Sequence, residues 1–113
     1  MSPPDRRQKH RFDLERVLGE IEGFAAGRTE AELLTDRALQ LILEREFEIL
    51  GEALNRLLRD DPVLEPAITG ARRIIGLRNL LAHGYDAIDH RILWSAVTLH
   101  LPLLRQEVSR LLG

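Results

Sequence analysis

Between Asp36 and about Arg59, apolar residues recur at three- and four-residue steps: Leu39, Ile42, Leu43, Phe47, Leu50, Ala53, Leu54, Leu57 and Leu58. This is the period of an α-helix, and a stripe of that length is a core face. Gly and Pro are sparse and fall between such segments, and no strand-like alternation rich in Val, Ile or Thr occurs. The chain is therefore predicted to be all-α.

The remaining helices read from the same signals. A first helix is expected from about Asp5 to Ala25, with Phe12, Val17, Leu18, Ile21 and Phe24 as its apolar stripe and Gly27 closing it. Thr29-Glu30-Ala31-Glu32 is a capping-box pattern that opens a short extra turn through Leu33-Leu34. Asp60-Asp61-Pro62 and Pro66 end the long helix. A third runs from about Thr69 to Ala82 on Ala71, Ile74, Ile75, Leu77 and Leu81, with Gly84 placed for a C-terminal cap. Asp89 caps the last helix, Ile88 and Leu93 are spaced as a hydrophobic staple, and Pro102 predicts a kink. Short connections between four main helices predict an antiparallel up-and-down four-helix bundle, one domain over residues 1–113 with residues 1–4 as a flexible tail.

Composition narrows the functional classes. The chain is 44% hydrophobic and 30% charged, a balance that excludes disorder and membrane insertion as expectations. No apolar run approaches the ~20 residues of a membrane span, and no apolar segment follows the charged N-terminus, so a cytoplasmic protein is expected. Zero cysteines remove disulfides, thiolate zinc sites and a cysteine nucleophile. A net charge of −2 does not clamp nucleic acid by bulk attraction, so any such contact must be local.

Chemistry concentrates in Arg78-Asn79-Leu80-Leu81-Ala82-His83-Gly84-Tyr85. In an unbroken helix Arg78 and His83 stand about 140° apart around the axis. If the helix ends near Ala82 and Gly84 supplies a left-handed turn, His83 leaves the helical path and can swing toward Arg78. An arginine beside an imidazole suits metal-independent cleavage of an RNA phosphodiester, because the attacking 2′-hydroxyl belongs to the RNA. Arg78 would stabilise phosphate charge and His83 would move a proton, while Asn79, Arg72 and Arg73 would position the phosphate. The plainer alternatives are that Arg78 pairs with Asp86 or Asp89 and that His83 only caps carbonyls. His83, Asp86, Asp89 and His90 are also possible metal ligands, but their spacing matches no well-specified zinc pattern, and no metal or other cofactor is expected. His10 and His100 read as solvated or packed. Glu48 and Glu52, one turn apart on the long helix, read first as a solvated face and second as support for Arg78.

That run resembles the Arg-x4-His-x-Tyr signature of HEPN ribonuclease domains, specifically the HepT-like toxins of toxin–antitoxin pairs. Ile74-Ile75-Gly76-Leu77, Trp94, Leu101-Pro102 and the segment from Glu46 to Ala53 extend the likeness over nearly the whole chain. The resemblance implies a HEPN bundle that forms a homodimer, with a composite site from the Arg78 and His83 motifs of two copies cutting RNA without metal. It implies a partner as well, a minimal nucleotidyltransferase antitoxin of the MntA kind that AMPylates the motif tyrosine, here Tyr85. The added bulk and negative charge would repel an RNA phosphate. The alternative within the same family is a non-catalytic module that binds the nucleotidyltransferase and nucleotide as a regulator or scaffold.

Overall fold

The computed structural model describes residues 4–83 and 88–113. Among these there is no strand, and the helices are α1 (Pro4–Ala25), α2 (Glu30–Thr35), α3 (Arg37–Asp60), α4 (Ala71–Ala82), α5 (His90–Ser95) and α6 (Leu101–Leu112). A 3-10 segment, Pro62–Ala67, joins α3 to α4, and a π segment, Ala96–His100, joins α5 to α6 without a break. The all-α bundle expected from the periodicity is the observed fold. Neighbouring helices run antiparallel: Arg7 near the start of α1 pairs with Asp61 just past the end of α3, and Arg105 of α6 pairs with Glu22 near the end of α1.

The core is the apolar stripe of α3 closed over by the other helices. Leu39, Leu43, Phe47, Leu50, Leu54 and Leu57 are buried, and all five apolar positions read for α4 are buried with them. The capping box forms as expected, Thr29 Oγ1 accepting from the Glu32 amide and Glu32 Oε1 accepting from the Thr29 amide. Gly27 closes α1 at φ +72°, the left-handed region that costs glycine nothing.

Two readings need correction. Phe12 and Phe24 do not belong to the buried stripe of α1, being 64% and 43% exposed. Phe12 lies about 200° around the axis from Leu14, which is buried, and Ala25 rather than Phe24 takes the buried place in the last turn. Helix α4 starts at Ala71, two residues later than read, because Thr69 is engaged elsewhere. Its amide and hydroxyl both donate to the Glu107 carboxylate, the hydroxyl at 2.7 Å, so a buried acid of α6 holds the entry to α4. Pro102 stands just past the π segment of the continuous α5–α6 run, where it interrupts the backbone hydrogen-bond ladder. The strain its ring places on the carbonyl four residues back coincides with the π segment, where the Leu101 amide reaches back five residues to Ala96.

One ionisable group in the α1–α3 contact makes stability depend on pH. The Glu46 carboxyl is pushed up to about 7 by burial, then by the Glu20 carboxyl beside it, against the opposing pull of Arg16 and Arg45. Its Oε2 is buried with no hydrogen-bond partner among the described residues. Between its usual value of 4.5 and about 7 the folded chain holds a proton that the unfolded chain releases, so stability falls as pH rises through that window and levels off above it. Glu46→Gln should flatten this slope and raise the midpoint at pH 8; a melting series from pH 4.5 to 8 with the same slope in both proteins would contradict it.

Candidate active site at the end of the fourth helix

Helix α4 ends at Ala82 as read from the sequence. Its apolar positions face α3, and that packing carries Arg78 to the edge of the interface. Gly51 of α3 is what allows so close an approach. A Cβ there would lie 2.2 Å from Arg78 Cβ and 3.2 Å from the Ile74 carbonyl oxygen, so only glycine fits beneath this turn of α4.

The Arg78 side chain is 34% exposed, with its guanidinium held by both terminal nitrogens. Nη2 pairs with Glu52 Oε2 at 2.8 Å, and Nη1 donates to Asn79 Oδ1 at 2.9 Å. Glu52 thus supports Arg78 directly, rather than belonging to a purely solvated face. Glu48, one turn away, pairs with Arg45 instead. Asp89, an alternative partner for Arg78, is occupied by Arg91, whose guanidinium holds the Asp89 carboxyl below its usual range.

His83 is exposed at the C-cap of α4 and remains in the right-handed region, at φ −83° and ψ −1°, its amide donating to the Asn79 carbonyl. It therefore has not left the helical path at its own backbone, and the helix by itself does not aim it at Arg78 within one chain. Gly84, the residue expected to supply that turn, lies outside the described residues, as do Tyr85 and Asp86. Arg72 and Arg73 face away from Arg78 around the helix. Arg72 pairs with Glu65, and Arg73 donates to His100 Nε2 at 3.0 Å. Burial, with the Arg73 guanidinium beside it, holds His100 below the usual imidazole range, in keeping with a neutral ring that accepts this bond.

His90 Nε2 is 2.7 Å from Glu44 Oε2, and among the described residues no three His, Asp or Glu side chains converge. The pairing of His10 with Asp60, which ties α1 to the end of α3, was not anticipated; two helices must be docked before those residues become neighbours. Likewise, no helix among the described residues is long and apolar enough to cross a membrane.

On its other side α4 borders an apolar groove of about 410 Å³, shared with α5 and the π segment and walled by Leu77, Leu80, Ile92 and Ala96. Leu80 and Ile92 are both exposed there.

The all-α bundle thus displays an arginine and a histidine at the exposed end of one helix. The chain belongs to the ribonuclease HepT-like family, whose model matches residues 14–111. It is 30% identical over 99 residues to a protein of Thermococcus cleftensis described as a probable ribonuclease HepT, covering 88% of this chain and 89% of that protein. It is 27% identical over 98 residues to a candidate RNase of Methanocaldococcus jannaschii, covering 87% and 89%. A candidate RNase of Caldanaerobacter subterraneus subsp. tengcongensis is 28% identical over 102 residues, covering 88% and 90%. No solved structure matches the chain at a significant level.

Proposed function

We propose that this chain is a cytoplasmic, metal-independent endoribonuclease, the toxin of a toxin–antitoxin pair. The observation that carries the reading is Arg78, clamped by Glu52 and Asn79 at the rim of α4, five residues before an exposed His83 in a chain of the HepT-like family. The scissile phosphate would replace Asn79 on one edge of the guanidinium while Glu52 keeps the other edge fixed. The His83 imidazole takes the proton of the RNA 2′-hydroxyl, whose oxygen bonds to phosphorus. The bond to the 5′-oxygen breaks, the imidazolium gives up its proton to that oxygen, and a 2′,3′-cyclic phosphate and a 5′-hydroxyl result. Arg72 and Arg73 would serve substrate further from the break.

The active form in this reading is a homodimer. The apolar groove beside Leu80 and Ile92 supports it, since a second copy seated there would cover exposed apolar surface and bring two α4 ends together. A composite site also answers the roughly 140° separation of Arg78 from His83 within one chain, because the arginine of one copy can then work with the imidazole of the other. Neutralisation would come from a minimal nucleotidyltransferase that transfers AMP to the Tyr85 hydroxyl, two residues beyond His83.

The test is cleavage of an end-labelled RNA by the purified protein in excess chelator, with growth arrest on expression without the antitoxin. Cyclic-phosphate products under chelation are expected; cutting that appears only on adding a divalent metal overturns the mechanism. The second reading, a non-catalytic module that binds a nucleotidyltransferase, is favoured by the Glu52 contact that already occupies part of Arg78. It predicts partner binding with every RNA left intact.

A further inference from the structure

The antiparallel packing of α1 on α3 leaves a furrow along the molecule's outside. Two depressions of about 490 and about 290 Å³ lie end to end in it, sharing Lys9, Asp13, Ala53 and Arg56 as walls. On α3 the furrow runs from Arg45 to Asp60, fifteen residues or about 22 Å of helix. Lys9, Arg16, Arg45 and Arg56 border it, with side chains 64 to 75% exposed. Each pairs with a carboxylate three or four residues away on its own helix, at 3.1 to 3.7 Å, and Arg16 and Arg45 also face the Glu46 carboxyl.

Such exposed pairs contribute between about 0 and 1 kcal/mol, so the cations can turn to an incoming phosphate provided that Asp13, Glu20 and Glu52, which share the walls, swing aside. Three of the four cations are arginines, whose planar fork grips phosphate on two oxygens. Among the described residues no Phe, Tyr or Trp lines either depression, and the one ring there, His10, is largely buried against Asp60, so the surface offers contacts to a sugar–phosphate backbone more than a stacking platform for bases. The furrow also meets the candidate active site. Glu52 is one of its walls, and the same carboxylate binds Arg56 at 3.3 Å and Arg78 at 2.8 Å.

We infer that the α1–α3 furrow is a sequence-independent track for the backbone of single-stranded RNA, in which Lys9, Arg16, Arg45 and Arg56 bind successive phosphates of the strand whose cleaved linkage lies at Arg78. The inference rests on the ribonuclease reading for its substrate, and it supplies what a net charge of −2 conceals, a line of exchangeable cations leading to the site. With no Phe, Tyr or Trp among the described lining residues, affinity depends on charge and not on base identity.

The test measures binding of a fluorescent, 2′-deoxy-substituted oligonucleotide that cannot be cut, so that its result is independent of catalysis. The triple variant Lys9→Gln, Arg16→Gln, Arg45→Gln keeps Arg56, and with it the Glu52–Arg78 contact. It should bind about tenfold or more weaker at low salt, and its log–log salt slope should be shallower by about 2, at roughly 0.7 per lost single-strand phosphate contact. Lys9→Arg, which makes all three residues arginine, should keep the slope. A control triple, Arg28→Gln, Arg37→Gln, Arg110→Gln, removes equal charge outside the furrow and should stay within about twofold of the parent. Equal loss in the two Gln triples, an unchanged slope, or no binding by the parent protein overturns the track. Binding through the furrow without cleavage of natural RNA strikes the ribonuclease reading alone.

Discussion

Replacing His83 with Ala is expected to lower RNA cleavage by roughly 10²–10⁴-fold, the usual contribution of a positioned proton-transfer group. Arg78→Ala should cost about 10²–10³-fold, in the range for removing one donor from charge building in a transition state. Neither change should unfold the protein, because His83 is exposed and the Arg78 guanidinium sits at the interface rim. The loss should therefore appear in kcat with the melting temperature of His83→Ala nearly unchanged. The two variants can also be mixed. If the arginine of one copy works with the imidazole of another, unfolding and refolding the inactive chains together should restore a measurable fraction of activity. Full parental activity in His83→Ala removes the imidazole from the mechanism.

The second large effect reverses an ordinary expectation. Gly51 lies inside α3, where alanine is normally better than glycine by about 1 kcal/mol. Gly51→Ala should nonetheless destabilise the protein. Its methyl would fall 2.2 Å from Arg78 Cβ and 2.9 Å from Arg78 Cγ, and backbone on the α4 side blocks retreat at the Ile74 carbonyl. Forcing a methyl into so close a contact typically costs about 1–3 kcal/mol, or a fall in midpoint of very roughly 4–8 °C per kcal/mol in a domain of this size. The helices must separate where Arg78 is anchored, so Glu52 and the guanidinium should lose register and cleavage should fall with stability. A melting temperature equal to or above the parent's would show that α4 does not approach as closely as described.

The helices were legible because their signals are local. The α3 stripe, the Thr29–Glu32 capping box, the Asp89 cap and the end of α4 at Ala82 each depend on residues a few positions apart, and each appears where the pattern placed it. What could not be read depends on distant parts of the chain. Thr69 reads as the start of α4 until Glu107, 38 residues later, claims its amide and hydroxyl. Glu52 looks like a solvated glutamate until α4 lays Arg78 across it. Gly51 carried a hint, a glycine within an otherwise strong helix, which usually marks a close backbone or side-chain approach. The candidate site was legible as a list of residues, Arg78, Asn79 and His83, and not as an arrangement, because the helix alone does not bring them together.

The π segment between α5 and α6 has a consequence for how the bundle closes. One turn there holds more residues than an ordinary α turn, so the side-chain rows of α6 are rotated relative to those of α5 although the rod never breaks. The upstream half can seat against α2 while the downstream half seats against α1, two partners that a uniform helix would have to address with a single stripe. Removing one residue between Ala96 and His100 would restore even winding and set those two seats out of phase, making this five-residue stretch the gearing between the floor of the bundle and its lid.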